Sequence, residues 1–172
     1  MNEDTFWTMI DEAWAVAAPE LESKRRELAT EADVEERETL AEEVEGFMDA
    51  MVDVLRERLN ELSSEQLLAF DRVLERKLYD IDREEVHRYT DGLDDGFLYC
   101  RGFIVGVGRA YYEAVARDPS KAVFDMECEL LTYLPFRMIH DKFGEAAWTA
   151  SEINRETCSN IEGWTFEEDD GD

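Results

Sequence analysis

One long apolar stretch, from Asp94 to Pro119, constrains the fold of this chain more than any other feature. A helix that is apolar on most sides is normally buried among other helices. Asp94 or Asp95 can cap its first turn, because a short carboxylate accepts hydrogen bonds from the unpaired amides there, and Pro119 cannot continue it. The stretch therefore predicts a central buried helix over about residues 94–118. The apolar residues that recur at steps of three and four are Phe97, Cys100, Ile104, Val107, Tyr111 and Ala114.

The charged residues of this helix argue against a membrane span. Arg101 and Arg109 would each cost about 2.5–3.5 kcal/mol at the centre of a bilayer. They lie close to one side of the helix with Glu113 and Arg117, so that Glu113 can pair with either Arg109 or Arg117. Two interpretations stay open: structural ion pairs at a helix edge, or a pocket for a small molecule or an anion. The candidate ligand-binding residues for the second are Asp94, Asp95, Tyr99, Arg101, Arg109 and Tyr112.

The rest of the chain reads as further helices, with no alternating pattern of the kind that β-strands show. Ser63 and Gln66 have the spacing of a capping box, which predicts the start of a helix. Pro135 predicts the end of a helix that follows Pro119, and Gly144 predicts the end of the next one.

Two regions are harder to assign. Residues 20–38 contain few apolar side chains and predict an exposed or partly frayed helix. Aromatic residues separated by polar ones after Glu145 predict a segment that lies over the bundle. We therefore expect an all-α, single-domain bundle of about five or six helices over residues 1–166, followed by an acidic disordered tail over residues 167–172.

The formal net charge of −26, from 44 acidic and 18 basic residues, restricts the choice of partners. It argues against direct nucleic-acid binding, which needs basic surface to displace counterions from phosphates. Three explanations of the acidity stay open: adaptation to salt or for solubility, a partner with a basic surface, and mimicry of nucleic acid. Three widely spaced cysteines and no secretory or membrane segment favour a reduced, cytoplasmic protein.

Residues suited to catalysis or metal binding are sparse. Glu84 and His87 are three apart, which is half of the ligand pattern of a di-metal bundle, but Arg137 stands three positions before the only other histidine, His140. Cys100 lies in an apolar run, which makes a thiol unreactive. Asp94 and Asp95 point about 100° apart on a helix and do not face each other as an acid pair. The sequence therefore predicts no catalytic residues, no metal and no cofactor.

Three segments carry a resemblance to a known family: FWTMIDEA near the start, LSSEQLLAFDRVLERKLY, and DDGFLYCRGFIVGVGRAYYEAVARDP. Together they resemble the bacterial domain-of-unknown-function family 4240 over residues 1–144, and the third segment is the most specific. The resemblance implies a small bacterial helical domain without an assigned activity, so it bears on the fold and hardly on mechanism. The positions that match the family pattern are Trp7, Asp71, Asp94, Asp95, Phe97, Arg101, Gly108, Arg109 and Tyr112.

The sequence favours a non-catalytic protein-interaction or regulatory module with a strongly acidic surface, whose unknown protein partner has a basic surface. One alternative is a domain that binds a small molecule or an anion through Arg101 and Arg109. A second is an enzyme of unknown reaction. The interaction role predicts an exposed acidic or apolar patch, whereas the anion-binding role predicts that the two arginines meet in one cavity.

Overall fold

The computed structural model describes residues 1–90 and 94–165, and within these ranges the chain forms α-helices, short 3-10 helices and irregular segments without a β-strand. The predicted tail, residues 167–172, lies outside the described residues, as do the side chains of Asp94 and Asp95. The α-helices of the described residues are α1 Glu3–Ala17, α2 Glu22–Leu28, α3 Val34–Glu45, α4 Met48–Leu59, α5 Ser64–Asp80, α6 Glu84–His87, α7 Asp94–Val107, α8 Arg109–Arg117, α9 Glu129–Thr132 and α10 Leu134–Phe143.

Local capping explains where several of these helices begin. The Asn2 side chain accepts a hydrogen bond from the amide of Thr5 at the start of α1, and Asp33 accepts one from Glu36 at the start of α3. Ser63 and Gln66 form the predicted capping box of α5. Each of these contacts pairs a first-turn amide that would otherwise lack an acceptor.

The long helix predicted over residues 94–118 is wrong as a single element, because the chain is interrupted at Gly108. This glycine has a φ of +122°, which L side chains rarely adopt, and it separates α7 from α8. The carbonyl of Gly106 accepts a hydrogen bond from the Trp14 indole at 2.7 Å, and the carbonyl of Val107 accepts one from Arg25 Nε at 2.8 Å. Side chains of α1 and α2 thus satisfy carbonyls that a continuous helix would have paired internally.

The estimate of five or six helices is also too low for the described residues, since several predicted helices are divided. The region predicted as one exposed or frayed helix, residues 20–38, contains the end of a 3-10 helix, α2, a non-helical connection and only the start of α3. The sequence predicts a helix over residues 122–128, yet this segment is irregular and contains no helix. The amide of Cys128 donates to the carbonyl of Tyr99 at 3.0 Å, and the amide of Glu127 donates to the Glu45 carboxylate at 2.8 Å.

The prediction that Pro135 ends a helix is wrong. Pro135 stands in the first turn of α10, where its missing N–H is tolerated.

The helices pack around a shared hydrophobic cluster, in which α1 contacts α4, α7 contacts α9 and α5 contacts α10. Trp7 and Trp14 are both buried. Gly102 allows α7 to approach the chain before α9, because an added Cβ would lie 2.6 Å from the carbonyl oxygen of Cys128. Among the described residues, no helix has both the length and the apolar character needed to cross a membrane.

The closing segment, which we define as residues 145–165, contains two 3-10 helices and no α-helix. Its aromatic residues contact the bundle, as predicted: Trp148 lies against Phe136, and Trp164 lies against His87 and Phe97. The segment also brings polar groups to three buried carboxylates of the bundle, those of Asp71, Glu75 and Asp82, which are described next.

Candidate functional site

Arg109, the first residue of α8, is an exposed member of an ion-pair network. Its Nε donates to the Glu113 carboxylate at 2.7 Å, and its Nη1 donates to the Asp4 carboxylate at 2.8 Å. Hydrogen bonding to Glu113, and then to Asp4, raises the pKa of Arg109. The predicted pair between Arg109 and Glu113 is confirmed, whereas Arg117 donates to the backbone carbonyl of Glu113.

Arg101 lies fully inside the protein, in surroundings quite different from those of Arg109. Its Nη1 donates to the carbonyl of Leu78 at 2.9 Å, and its guanidinium carbon lies 4.7 Å from the centre of the Phe97 ring. The closest carboxylate oxygen of Asp82 is 3.9 Å away. Burial lowers the pKa of Arg101 to about 10, and the Asp82 charge opposes that shift. Arg101 therefore acts as a buried structural cation beside a buried acid.

Asp82 is the first of three buried acidic residues that contact the closing segment, and the other two, Asp71 and Glu75, lie together. It accepts hydrogen bonds from the backbone amides of Cys158 at 3.1 Å and Asn160 at 2.9 Å, and from the indole of Trp164 at 3.1 Å. Three donors and the nearby Arg101 thus surround the buried carboxylate. We call this group the Asp82 cluster.

The second buried group, which we call the Asp71 cluster, consists of Asp71, Arg72, Glu75 and Arg155. Arg155 is 4% exposed and places Nη2 3.0 Å from Asp71 and 3.5 Å from Glu75. Its Nη1 donates to the carbonyl of Thr132 at 2.6 Å. Arg72 contacts both carboxylates from the other side, at 3.4 Å and 3.0 Å. Both acids are thus engaged by cations.

Sequence reasoning did not assign a role to either cluster. Asp71 and Glu75 are four apart and fall beside the apolar positions of α5. This spacing places two acids on the buried side of the helix, and that pattern could have predicted the cluster. Paired carboxylates can serve as general acid and base only when one of them can reach a substrate proton. Here arginines and Ser151 occupy their oxygens, so the arrangement is that of a structural ion cluster.

The remaining predicted site residues are dispersed. Tyr112 is buried, and the centre of its ring lies 5.3 Å from that of Trp7 and 5.3 Å from Lys77 Nζ. Burial raises the pKa of the Tyr112 hydroxyl. Tyr99 is half-buried and holds Cys128 through its backbone carbonyl. The side chains of Asp94 and Asp95 lie outside the described residues.

An open cavity of about 280 Å³ lies at the start of α8, lined by Arg109, Gly108 and Arg25, among others. The Arg25 guanidinium is already bonded there, to Asp11 at 2.6 Å and to the carbonyl of Val107. Arg101 lies instead beside Asp82. The structure therefore does not bring Arg101 and Arg109 together in this cavity.

The candidate metal and thiol residues also have structural surroundings. His87 packs edge-on against Phe97 at 4.9 Å and lies 5.3 Å from the Trp164 ring. In the described part of the chain, no group of three or more histidine, cysteine or acidic residues is placed to hold a metal ion. Cys128 is buried, and burial raises the pKa of its thiol to about 12.

The described residues thus form an all-helical fold with buried ion clusters and dispersed candidate residues. Residues 1–137 match the family model described as "Protein of unknown function (DUF4240)", and the chain belongs to that family. Neither the curated proteins nor the solved structures contain a significant match to the chain. The match includes Asp71, Asp82 and Arg101, whereas Arg155 and Trp164 lie beyond it.

Proposed function

We propose that this protein is a non-catalytic interaction module that binds a partner with a basic surface through the acidic outer face of α3. We expect this role in a bacterial cytoplasm, in keeping with the family resemblance and the cysteine content. The observation that carries the proposal is the one-sided charge of α3. Its only basic residue, Arg37, is turned inward, and its exposed side presents five glutamates: Glu35, Glu36, Glu38, Glu42 and Glu43.

The spacing of these glutamates makes the face strongly anionic. Glu35, Glu38 and Glu42 follow one another at three and four residues, so the Cβ atoms of neighbouring glutamates lie about 5–6 Å apart along one side of the helix. Like charges at this spacing destabilise a helix slightly, and a bound cationic surface would relieve the repulsion. Lys24 of α2 reaches only Glu43 at the edge of the face.

The acidity is not spread evenly over the helices, as a general adaptation to salt would predict. The exposed side of α10 carries Arg137, His140 and Lys142 with a single acid, Asp141. This contrast supports a role for the α3 face in binding. The anion-binding alternative based on Arg101 and Arg109 has less support, because the two side chains have separate surroundings. The enzyme alternative also has less support, because the buried acid pair of Asp71 and Glu75 is occupied by arginines and Ser151.

The test is capture of partners from a lysate of the source organism at low and moderate salt, with a matched pair of triple variants. Glu35→Gln, Glu38→Gln and Glu42→Gln neutralise the face, and Glu20→Gln, Glu61→Gln and Glu152→Gln remove the same charge at other exposed positions. A stoichiometric partner should be lost as salt rises. Its affinity for the first variant should fall about tenfold, and its affinity for the second should change little. Equal losses in the two variants, or no stoichiometric partner, would contradict the proposal.

A further inference from the structure

A half-open groove lies between the start of α3, the turn that follows α6 and the loop that follows α8. Its volume is about 540 Å³, within the range of pockets that hold small organic ligands. Val34, Tyr89 and Phe124 line it, and these are three of the eight large hydrophobic side chains exposed in the described residues. Apolar exposure is thus concentrated in one concave place, which is typical of a binding surface.

Two cations in the same groove lack a carboxylate partner. Arg37 is 6% exposed, and its two Nη atoms donate only to backbone carbonyls, those of Glu31 at 3.2 Å and Ser120 at 2.8 Å. Its buried Nε has no hydrogen-bond partner among the described residues. Lys121 Nζ also donates to backbone carbonyls, at 2.6 Å to Glu31 and 3.5 Å to Thr30.

The lack of a carboxylate is notable because acids outnumber bases 44 to 18 in this chain. Within the described residues, neither Arg37 nor Lys121 has a carboxylate oxygen within 4.0 Å, the ion-pair distance met by most other arginines. A buried guanidinium that no carboxylate contacts directly is costly, so a bound anion would stabilise it.

The other charged residues of the groove are already engaged or lie at its rim. The Asp118 carboxylate accepts from the amide and the hydroxyl of Ser120, and chiefly this hydroxyl bond, with smaller contributions from the charges of Lys121 and Arg37, lowers its pKa. Arg88 pairs with Glu84, and Glu38 is exposed. Three bases and two acids line the groove, and Glu84 offsets the charge of Arg88, so the groove is close to neutral within a strongly anionic protein.

We propose that this groove binds a small organic anion with an apolar body, such as an aryl-substituted or branched-chain carboxylate. The carboxylate of the ligand contacts Lys121 at the side of the groove where Arg37 lies, and the apolar body of the ligand packs against Tyr89 and Phe124. Inorganic anions do not use the apolar wall and neutral compounds do not use the cations, so both charge and hydrophobicity are required. The groove shares Glu38 with the acidic face of α3, but the anion site uses Lys121 and Arg37 and does not depend on a protein partner.

The test is an NMR titration of the 15N-labelled full chain with 3-phenylpropionate, compared with acetate and the neutral 3-phenylpropan-1-ol. The aryl carboxylate should shift amide signals around the groove and bind at least about tenfold more tightly than either analogue. Equal binding of the alcohol, shifts that map elsewhere, or no saturable shift would overturn the proposal.

Lysine variants provide a matched control. Lys121→Gln should raise the dissociation constant about tenfold, which is the effect of losing one charge-assisted hydrogen bond, and Lys121→Arg should restore binding. Lys142 also donates to backbone carbonyls, those of Asn60 and Leu62, and Lys142→Gln should leave the constant unchanged. Phe124 is 60% exposed, so Phe124→Ala should weaken binding without unfolding the protein. Equal effects of the two glutamine variants would contradict the assignment.

Discussion

Replacing Arg155 by methionine tests how strongly the closing segment is tied to the bundle. The variant leaves the carboxylates of Asp71 and Glu75 buried, with only the half-buried Arg72 near them, at 3.4 Å and 3.0 Å. Removing one partner of a buried ion pair costs about 3–5 kcal/mol, because the remaining charge is left uncompensated. Arg155→Met should therefore lower the free energy of unfolding by about this amount, and the urea midpoint by about 2 M. Urea unfolding followed by tryptophan fluorescence and circular dichroism measures the change.

A double-mutant cycle separates the ion pair from the lost packing of the arginine stem. Asp71→Asn removes the buried charge that Arg155 contacts at 3.0 Å, so the double variant should cost about 2 kcal/mol less than the sum of the two single changes. Arg137→Met, at an exposed position of α10, should stay within about 0.5 kcal/mol of wild type. An Arg155→Met cost below about 1 kcal/mol, or strictly additive effects, would refute the reasoning.

Two further predictions concern the interruption at Gly108 and the buried phenols. Gly108→Ala should cost about 1–3 kcal/mol and more than Gly144→Ala in thermal unfolding. Both glycines have positive φ, but only at Gly108 would the new Cβ meet another group, Arg25 Nη2 at 2.6 Å. Equal losses of stability in the two variants would refute the role of this contact. Burial raises the pKa of Tyr112, so the folded protein holds the phenol proton more tightly than the unfolded chain does. The buried neutral phenol therefore contributes its full stability below the ordinary phenol pKa of about 10, and this contribution is lost as pH rises above that value. Between about pH 10 and 11.5, Tyr112→Phe should lose stability less steeply than wild type in urea unfolding, and identical slopes would contradict this.

Features determined by neighbouring residues were predictable from the sequence. The capping box of Ser63 and Gln66 and the ion pair of Arg109 and Glu113 each involve residues three or four apart, and both are confirmed. The burial of the α5 apolar side follows from the same short periodicity. These contacts require only that the local segment be helical, which its own residues favour.

Features that depend on distant partners were not predictable. The interruption at Gly108 is matched by hydrogen bonds from Trp14 and Arg25 to the carbonyls of Gly106 and Val107, across 92 and 82 positions of sequence. The helical periodicity continues through the glycine, so the local pattern indicated one helix. Only the packing of α1 and α2 against this point provides the donors that make an early end of α7 favourable.

The position of the two buried ion clusters bears on what can be inferred from the family match. The match ends at residue 137 and includes Arg72 and Arg101, which lie near Asp71 and Asp82, but further partners of these acids are Arg155 and the N–H donors between Cys158 and Trp164. Breaking a buried ion pair costs about 3–5 kcal/mol, a large part of the total stability of an ordinary domain, about 5–15 kcal/mol. The bundle formed by the matched residues therefore depends on the closing segment for one cation and for several hydrogen bonds to its buried acids. The same bonds explain why Asp71 and Asp82 are poor candidates for general acids or bases, since their oxygens already accept from this segment.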